Sequence, residues 1–420
     1  MRVWVVEVGE PLPFDPGVPR LMRAGLLSET LASRGHDVTW WTAAFDHSRK
    51  ELRPRGRRTV ESGGARYEVE LLRSIGYRQH VSARRMVEHS VNAVDFLLRA
   101  RSAPRPDVIV AGLPTLELTA ACARLGRRWN RPVVVDVRDL WPDILEAALP
   151  HRLRSVRRAL LSPLRALARY ACRSSVAITG VSEPFRDWGL RHARRAARPT
   201  DQAFPPAYRP LGLDSAARQR GDDFWRAHGL DGHTIAAFVG ALSDQFEFEP
   251  VLDVARRWRE TRPDLVFVLA GDGPARAALT VASRDLGNVC LPGWIDAEQI
   301  ASLLDRASIG LAPYKPVPNF LDNLTNKVVE YLAYSVPVVS TLGDGITGRI
   351  VQEEGCGASY RSGDSTSLET ALNAVLADDA MAARAYATFG SRYSASIVYG
   401  RFAELLEGLA DAPDRGSGRV

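Results

Sequence analysis

Short apolar runs of strand length alternate with segments of helix length along nearly the whole chain, and the pattern is run through twice. The first half offers residues 3–8, then HDVTWWT from residue 36, DVIVAG from 107, PVVVDV from 132 and VAITGV from 176. The second half restarts with TIAAFVG from 234, DLVFVLAGDGP from 264, NVCLPGW from 288 and SIGLAP from 308. Helix-length segments between such strands predict parallel sheets covered by helices, so the expected class is α/β with two open sheets in tandem. A chain of 420 residues also exceeds what one core fills. Residues 194–220, with Pro199, Pro205, Pro206 and Pro210 and no clear periodicity, read as the crossover. The expected division is 1–205, then 206–389, with a last helix at 390–410 packing back on the first domain and a polar tail at 411–420. Such folds bind ligands beyond the carboxyl ends of their strands.

One carboxylate stands out within this frame. NLTNKVVEYLAYSVPVVST, from residue 323, sets Glu330 in an otherwise apolar helix, among Val328, Val329, Leu332 and Ala333. Asn323 and Thr325 are capping residue types, so the helix is expected to start here, and Pro337 to end it before a strand. A helix start presents N–H groups to anions, phosphate above all. A carboxylate in apolar company costs on the order of 2–7 kcal/mol unless donors meet it. Two ribose hydroxyls would meet it; the bland alternative is a surface helix whose one acid faces water.

Gly271, Asp272, Gly273 and Pro274 follow a strand and precede a helix, so backbone can approach a ligand there. Gly240 holds the matching position after the first strand of the same sheet, and plain turn punctuation is the alternative for both. Trp294, after Pro292 and Gly293, offers an edge or backbone groups to a nucleobase, or else fills core. In VVVDVRDLWPD, Arg138 and Asp139 end a strand, flanked by Asp136 and Asp143. A guanidinium there binds phosphate or carboxylate bidentately, or pairs with an aspartate to hold the strand end.

Composition narrows the class. The net charge is +6, yet of 55 basic residues 3 are lysine, leaving 55 − 3 = 52 arginines. That skew has the look of codon bias toward GC-rich DNA. Residues 151–173 carry seven of the arginines, with Leu153, Val156, Leu160, Leu161, Leu164 and Leu167 at helical spacing. This predicts one or two basic amphipathic helices, either a solvated face or a face resting on anionic lipid. Four dispersed cysteines suit a reducing cytoplasm and show no metal spacing. The sequence has no signal-peptide order in its first twenty residues and no apolar run of transmembrane length. EVGEPLPFDPG is too proline-rich for a dinucleotide turn, and no Walker sequence or Gly-x-Ser-x-Gly elbow occurs. Dehydrogenase, NTPase and hydrolase readings are disfavoured.

The motifs in order — RGHDVTWWT, VRDLWPD, FVGALSD, AGDGPARAAL, LPGWIDAEQI and NKVVEYLAYSVPVVST — resemble the retaining glycosyltransferases of family 4, of GT-B fold. The RDLWP segment is similar to bacterial enzymes of O-antigen and capsule assembly. The resemblance implies two Rossmann-like domains facing a cleft, and metal-independent transfer of a sugar from a UDP- or GDP-sugar to a hydroxyl or thiol, without a cofactor. Glu330 would bind the ribose, while Asn323, Leu324, Thr325 and Asn326 would contact phosphate and donor sugar and Lys327 would add a cation. Gly17, Gly240, Ser243, Gly271, Gly273, Trp294 and Ile295 complete the implied donor set. Arg138, Asp139, Trp141 and Phe14 would face the acceptor, a lipid-linked glycan or a small metabolite. Lys327, Glu330, Asp322 and Arg138 are the implied catalytic group. Three departures stand out. DNLTN replaces the first acid of the family's pair, leaving Asp322 eight residues before Glu330. Arg138 replaces the usual histidine, and Ser243, Asp244 and Gln245 occupy the loop where a basic residue is usual.

The expected location is cytoplasmic, with peripheral contact at the inner membrane face through residues 151–173, and no nucleic-acid partner is expected. Two other classes stay open: a GT-B nucleotide-sugar epimerase, and a non-catalytic basic protein binding membrane or nucleic acid.

Overall fold

The computed structural model describes residues 1–17, 19–47, 49–78, 82–147 and 159–411. It divides into one unit of Met1–Pro205 with Val398–Val420, and a second of Pro206–Ile397. Each unit carries its own sheet. In the first, the strands are β1 (Arg2–Val6), β2 (Asp37–Ala43), β3 (Phe45–Asp46), β4 (Glu51–Leu52), β5 (Gly56–Ser62), β6 (Ala65–Leu72), β7 (Val108–Leu113), β8 (Val133–Val137) and β9 (Ala177–Gly180). Seven of them form a sheet in the order β5-β6-β2-β1-β7-β8-β9, while β3 and β4 pair separately. The six-stranded sheet of the second unit runs β12-β11-β10-β13-β14-β15, from β10 (Thr234–Val239), β11 (Leu265–Ala270), β12 (Val289–Cys290), β13 (Ile309–Ala312), β14 (Val338–Ser340) and β15 (Gly357–Ser359).

The central strands are parallel and their Val/Ile/Ala-rich runs are buried along their length, which is why they lack alternation. The departure is the edge hairpin β5–β6, antiparallel and turned at Gly63 and Gly64. Its outer strand, GRRTVES, buries Val60 alone, so no apolar run announces it. Register carries the fold: Val3, Trp4 and Val5 lie beside Val38, Thr39 and Trp40 on one side and Val108, Ile109 and Val110 on the other. Trp4, Trp41 and Phe96 meet edge to face at 5.1–5.9 Å, filling the layer between sheet and helix. Each such buried ring contributes roughly 1.5–3 kcal/mol by area removed from water.

The helices follow. The first spans Arg23–Ser33, and Gly35 beyond it has φ +84°. In the second unit the helix after Gly273 spans Arg276–Ala282, and the Ser283 hydroxyl donates to the Leu279 carbonyl at its end. The last helix runs Ala395–Ala410, and the unit boundary falls inside it. Its Phe402 stacks on Phe204 at 4.3 Å, and its Glu407 binds Arg34 bidentately at 2.8 Å and His36 at 2.7 Å. These contacts hold the returning chain to the first unit.

Residues 151–158 of the arginine-rich segment, and 412–420 of the tail, lie outside the described residues. The remainder of the segment forms the Ser162–Ser174 helix, with Pro163 in its first turn and Ala168, Ala171 and Cys172 buried. Among the described residues no helix is long and apolar enough to cross a membrane.

Candidate functional site

In the second unit the strand ends converge on the helix that carries Glu330. That helix spans Asn326–Ala333 with Thr325 at the N-cap, but the Thr325 side chain caps no N–H. Its first hydrogen bonds are those of Val328 and Val329, both to the Thr325 carbonyl, so the turn before them presents backbone to its surroundings. Pro337 is not what stops it. Ser335, at φ +61°, turns the chain, and Ser335 and Val336 donate back to Leu332 and Tyr331. Tyr331 fixes the helix on the sheet: its phenol accepts from Val239 N–H and donates to the Leu311 carbonyl, both at 3.2 Å. Gly310 makes room, since a Cβ there would occupy the Tyr331 ring. Glu330, one residue before, is 6% exposed. It lies among buried Val328, Val329, Tyr331 and Leu332, as the apolar surroundings in sequence imply.

Lys327 is buried on the same turn. Its ammonium donates to the Val239 carbonyl and rests 3.8 Å above the Phe238 ring centre, with Phe246 at 5.3 Å. A Cβ on Gly240 would stand 2.6 Å from that nitrogen. The end of β10 is therefore glycine because a lysine from another element reaches it. Gly271 follows β11, and its N–H donates to the Gly293 carbonyl at 2.7 Å while Gly240 donates to Ala270 at 3.0 Å. A Cβ on Gly271 would collide with the Gly240 carbonyl oxygen, and one on Gly273 with that of Leu242. These glycines make a floor of bare backbone at the carboxyl ends of β10, β11 and β12.

The remaining donor residues fall as follows. Trp294 is 73% exposed, so its ring is not core. Ile295, beside it, is buried with Trp225, Leu230 and Ile235. Leu324 is buried too, whereas Asn326 is exposed. The buried Asn323 carboxamide oxygen has no hydrogen-bond partner among the described residues. Ser243 is half-buried in the loop after β10, and Asp322 ends the short Pro318–Leu321 helix, also half-buried.

In the first unit Arg138 does not pair with its aspartate neighbours. It reaches back to Glu7, 3.2 Å away, and to Glu10, carboxylates more than 120 positions earlier. Asp136 is instead taken by Arg23, bidentately at 2.6 and 2.8 Å, with Thr179 donating at 2.7 Å. Burial pulls the Arg138 guanidinium toward neutrality, but Glu10 and Glu7 outweigh it and hold it protonated. The Glu7 carboxyl, under the Gly112 backbone, is pushed up to about 7 by burial, against the pull of Arg138. Arg138 is thus engaged by internal acids, and a phosphate or carboxylate would have to share it. Asp139 accepts from Leu140 N–H at 2.9 Å and is pushed upward by burial, while Trp141 is buried under Arg85 at 4.8 Å. Phe14 lies under Arg58 at 4.5 Å. Gly17 is exposed at φ +92°, two residues after Asp15, which Arg53 clamps bidentately at 2.6 Å.

Sequence reasoning missed a second group in this unit. His47, Tyr77, Arg85, Glu88, His89 and Asn92 line a cavity of about 160 Å³ at the carboxyl ends of β1, β2 and β7. They come from segments with no shared motif, so no local signal could have gathered them.

The description "Glycosyl transferase 4-like domain" matches residues 22–200, and "Glycosyl transferases group 1" matches 233–378. The two cover both units. The chain is a family-4-type glycosyltransferase. The glycosyltransferase is similar to alpha-D-kanosaminyltransferase of Streptomyces kanamyceticus, 26% identical over 196 residues, 44% of this chain. The match spans about half (49%) of that relative. Sucrose-phosphate synthase from Thermosynechococcus elongatus shares the fold with a TM-score of 0.68 at 16% identity, over 97% of this chain and 98% of that one. Anabaena HepE in complex with UDP follows at 0.62 and 14%, over 97% and 100%. An alpha,alpha-trehalose-phosphate synthase (UDP-forming) from Burkholderia vietnamiensis gives 0.68 and 13%, over 98% of each. The fold is therefore GT-B, two Rossmann-like domains.

Proposed function

We propose that this glycosyltransferase moves a sugar from a UDP-sugar to an acceptor with retention at the anomeric carbon. The observation that carries the reading is Glu330, buried one turn inside a helix whose start stands at a backbone floor of Gly240 and Gly271. A ribose brings two hydroxyl donors to that carboxylate, and the leaving diphosphate lies at the helix N-terminus. Lys327 supplies a positive charge there and Asn323 an acceptor for a sugar hydroxyl. In this reading those groups, rather than a metal, meet the diphosphate charge. The bond from C1 to the phosphate oxygen breaks on the face where the bond to the acceptor oxygen forms. The acceptor proton passes to the departing phosphate oxygen, so the protein positions and stabilises charge. The uridine base is chosen because HepE, of the same fold, binds UDP, and backbone groups at Trp294 and Ile295 are its proposed contacts.

The test is calorimetric binding of UDP, GDP and dTDP. UDP is expected to bind most tightly, and Glu330→Ala to weaken it about 100-fold or more, as loss of two charge-assisted hydrogen bonds implies. Equal affinity in the variant, or no binding of any nucleotide, overturns the proposal.

A further inference from the structure

The first unit holds a built site that the donor reading leaves unused. The 160 Å³ cavity shares Phe45 and Tyr77 with a wider one of about 640 Å³, lined also by Lys50, Leu52, Arg78 and Arg84. The smaller space, about 160 Å³, is large enough for a phosphoryl group. The larger space accommodates a sugar ring.

The charges around the two cavities are unequal. The Lys50 ammonium is shielded from solvent, 5.1 Å over the Tyr77 ring and 6.0 Å over Phe45, with no hydrogen-bond partner among the described residues. Arg85 lies 5.6 Å from the centre of the same Tyr77 ring and 4.8 Å over Trp141. His47 meets the Tyr77 hydroxyl at 2.5 Å. The acid that lines the cavity, Glu88, is already spent: one oxygen accepts from Ile75 N–H at 2.6 Å and Gly76 N–H at 3.0 Å, the other from Asn92. Arg84 is spent as well, on the Ile75 and Gly76 carbonyls. Asp46 is clamped by Arg53 at 3.0 Å. An ammonium held away from water without an anion is costly, and a ligand anion removes the cost. Burial and Arg85 pull the Lys50 ammonium downward, against Asp46, and burial, Arg85 and His47 drive His89 to about 3, so His89 is neutral. Burial comes first in both shifts, and Arg85 adds positive potential to each.

The identity of the residue agrees. In a chain with 52 arginines, 55 less 3 lysines, Lys50 and Lys327 are the two lysines seated on aromatic rings. In such a seat the compact ammonium presents a point charge, which a guanidinium replaces in part.

We propose that the acceptor is a sugar-sized molecule bearing a phosphate, held by Lys50, Arg85 and Tyr77 at the carboxyl ends of the first unit's strands. This rests on the glycosyl-transfer reading, and the test separates the two. A soluble sugar phosphate and a lipid-linked phosphate present the same group, so both are assayed. Binding of glucose 6-phosphate, farnesyl diphosphate, glucose and glucosamine is measured by calorimetry, alongside UDP, on wild type, Lys50→Gln, Lys50→Arg and Arg85→Gln. One phosphorylated probe is expected to bind, with glucose and glucosamine at least about ten-fold weaker. Lys50→Gln and Arg85→Gln each weaken the phosphate at least about ten-fold, Lys50→Arg restores part of it, and UDP affinity is unchanged in all. Whichever phosphorylated probe binds identifies the soluble or lipid-linked source. Phosphate affinity unchanged in Lys50→Gln, glucosamine binding as tightly as the phosphates, or no binding of either phosphate overturns the proposal. With UDP bound in those cases, the donor reading stands alone. Lys50-dependent phosphate binding without UDP binding supports the pocket and removes the donor reading.

Discussion

Replacing Gly271 by alanine is expected to cost roughly 3–5 kcal/mol and to abolish nucleotide binding with it. Two costs add. At φ +141° the residue occupies backbone space that side chains rarely adopt, and its Cβ would lie well under 3.0 Å from the Gly240 carbonyl oxygen. That oxygen cannot retreat, because Gly240 is tied to Ala270 and Gly271 to Gly293 by backbone hydrogen bonds. The comparison is Gly232→Ala, in the turn before β10, where φ is +78° but nothing stands within 4 Å of a Cβ. There backbone strain acts alone, about 1–2 kcal/mol. Denaturant titration of both variants measures the difference, and the second unit's thermal transition should fall by roughly 6–20 °C in Gly271→Ala at 2–4 °C per kcal/mol. If the two variants unfold within 1 kcal/mol of each other, the strand ends are not the rigid floor that the diphosphate reading needs.

The same floor shows what the sequence can and cannot disclose. Glu330 is legible because one carboxylate among valines and leucines breaks a pattern that otherwise means core, and such breaks have physical cost. Gly240, Gly271 and Gly273 are legible as turns after strands, but not as close approaches, since the atoms that exclude a Cβ belong to other elements. Arg138 shows the limit more sharply. Neighbouring aspartates suggest an ion pair along the chain, whereas parallel strands place β1 beside β7 and β7 beside β8, so its partners come from the end of β1. Glu7 lies in the run that reads as the first strand, and Glu10 in the proline-rich stretch after it. Trp294 is ambiguous for another reason: a tryptophan after a glycine turn serves core and surface equally well. The edge strand GRRTVES, buried at Val60 alone, carries no run of apolar residues.

The acceptor side was the least legible. Lys50, Tyr77, Arg85 and His89 meet where the segments after β2 and β6 approach the Ala83–Arg99 helix, which starts with Ser82 capping Arg85 N–H. None of the four is unusual in its local sequence. What identifies them is that their charges are unequal and their seats aromatic, and both facts exist only in three dimensions.

Two groups in this unit oppose each other with pH, and separating them is the second large effect. His89 titrates near 3 in the folded chain, lowered first by burial, against about 6.5 unfolded. The unfolded state binds the extra proton between those values, so stability from His89 is complete above pH 6.5 and is lost on acidification toward 3. At 1.36 kcal/mol per unit this amounts to about 4–5 kcal/mol. Glu7 has the reverse sign. Burial raises it from 4.5 to about 7, so the folded state binds the extra proton, and its stabilisation is complete below pH 4.5 and lost as pH rises through 7, about 3 kcal/mol. Glu117, 3.7 Å from His89 and also raised by burial, adds to the Glu7 side. Between pH 4.5 and 6.5 the wild-type slopes nearly cancel. In His89→Phe, neutral at every pH, the rise disappears and stability of the first unit should fall by about 3 kcal/mol from pH 4.5 to 7. In Glu7→Gln the fall shrinks to the part that Glu117 contributes, and stability should climb by up to about 4–5 kcal/mol from pH 3 to 6.5. Urea titrations at pH 4.5, 5.5, 6.5 and 7.5 distinguish these curves. Parallel profiles for wild type and both variants would mean that neither group is buried as the structure has it.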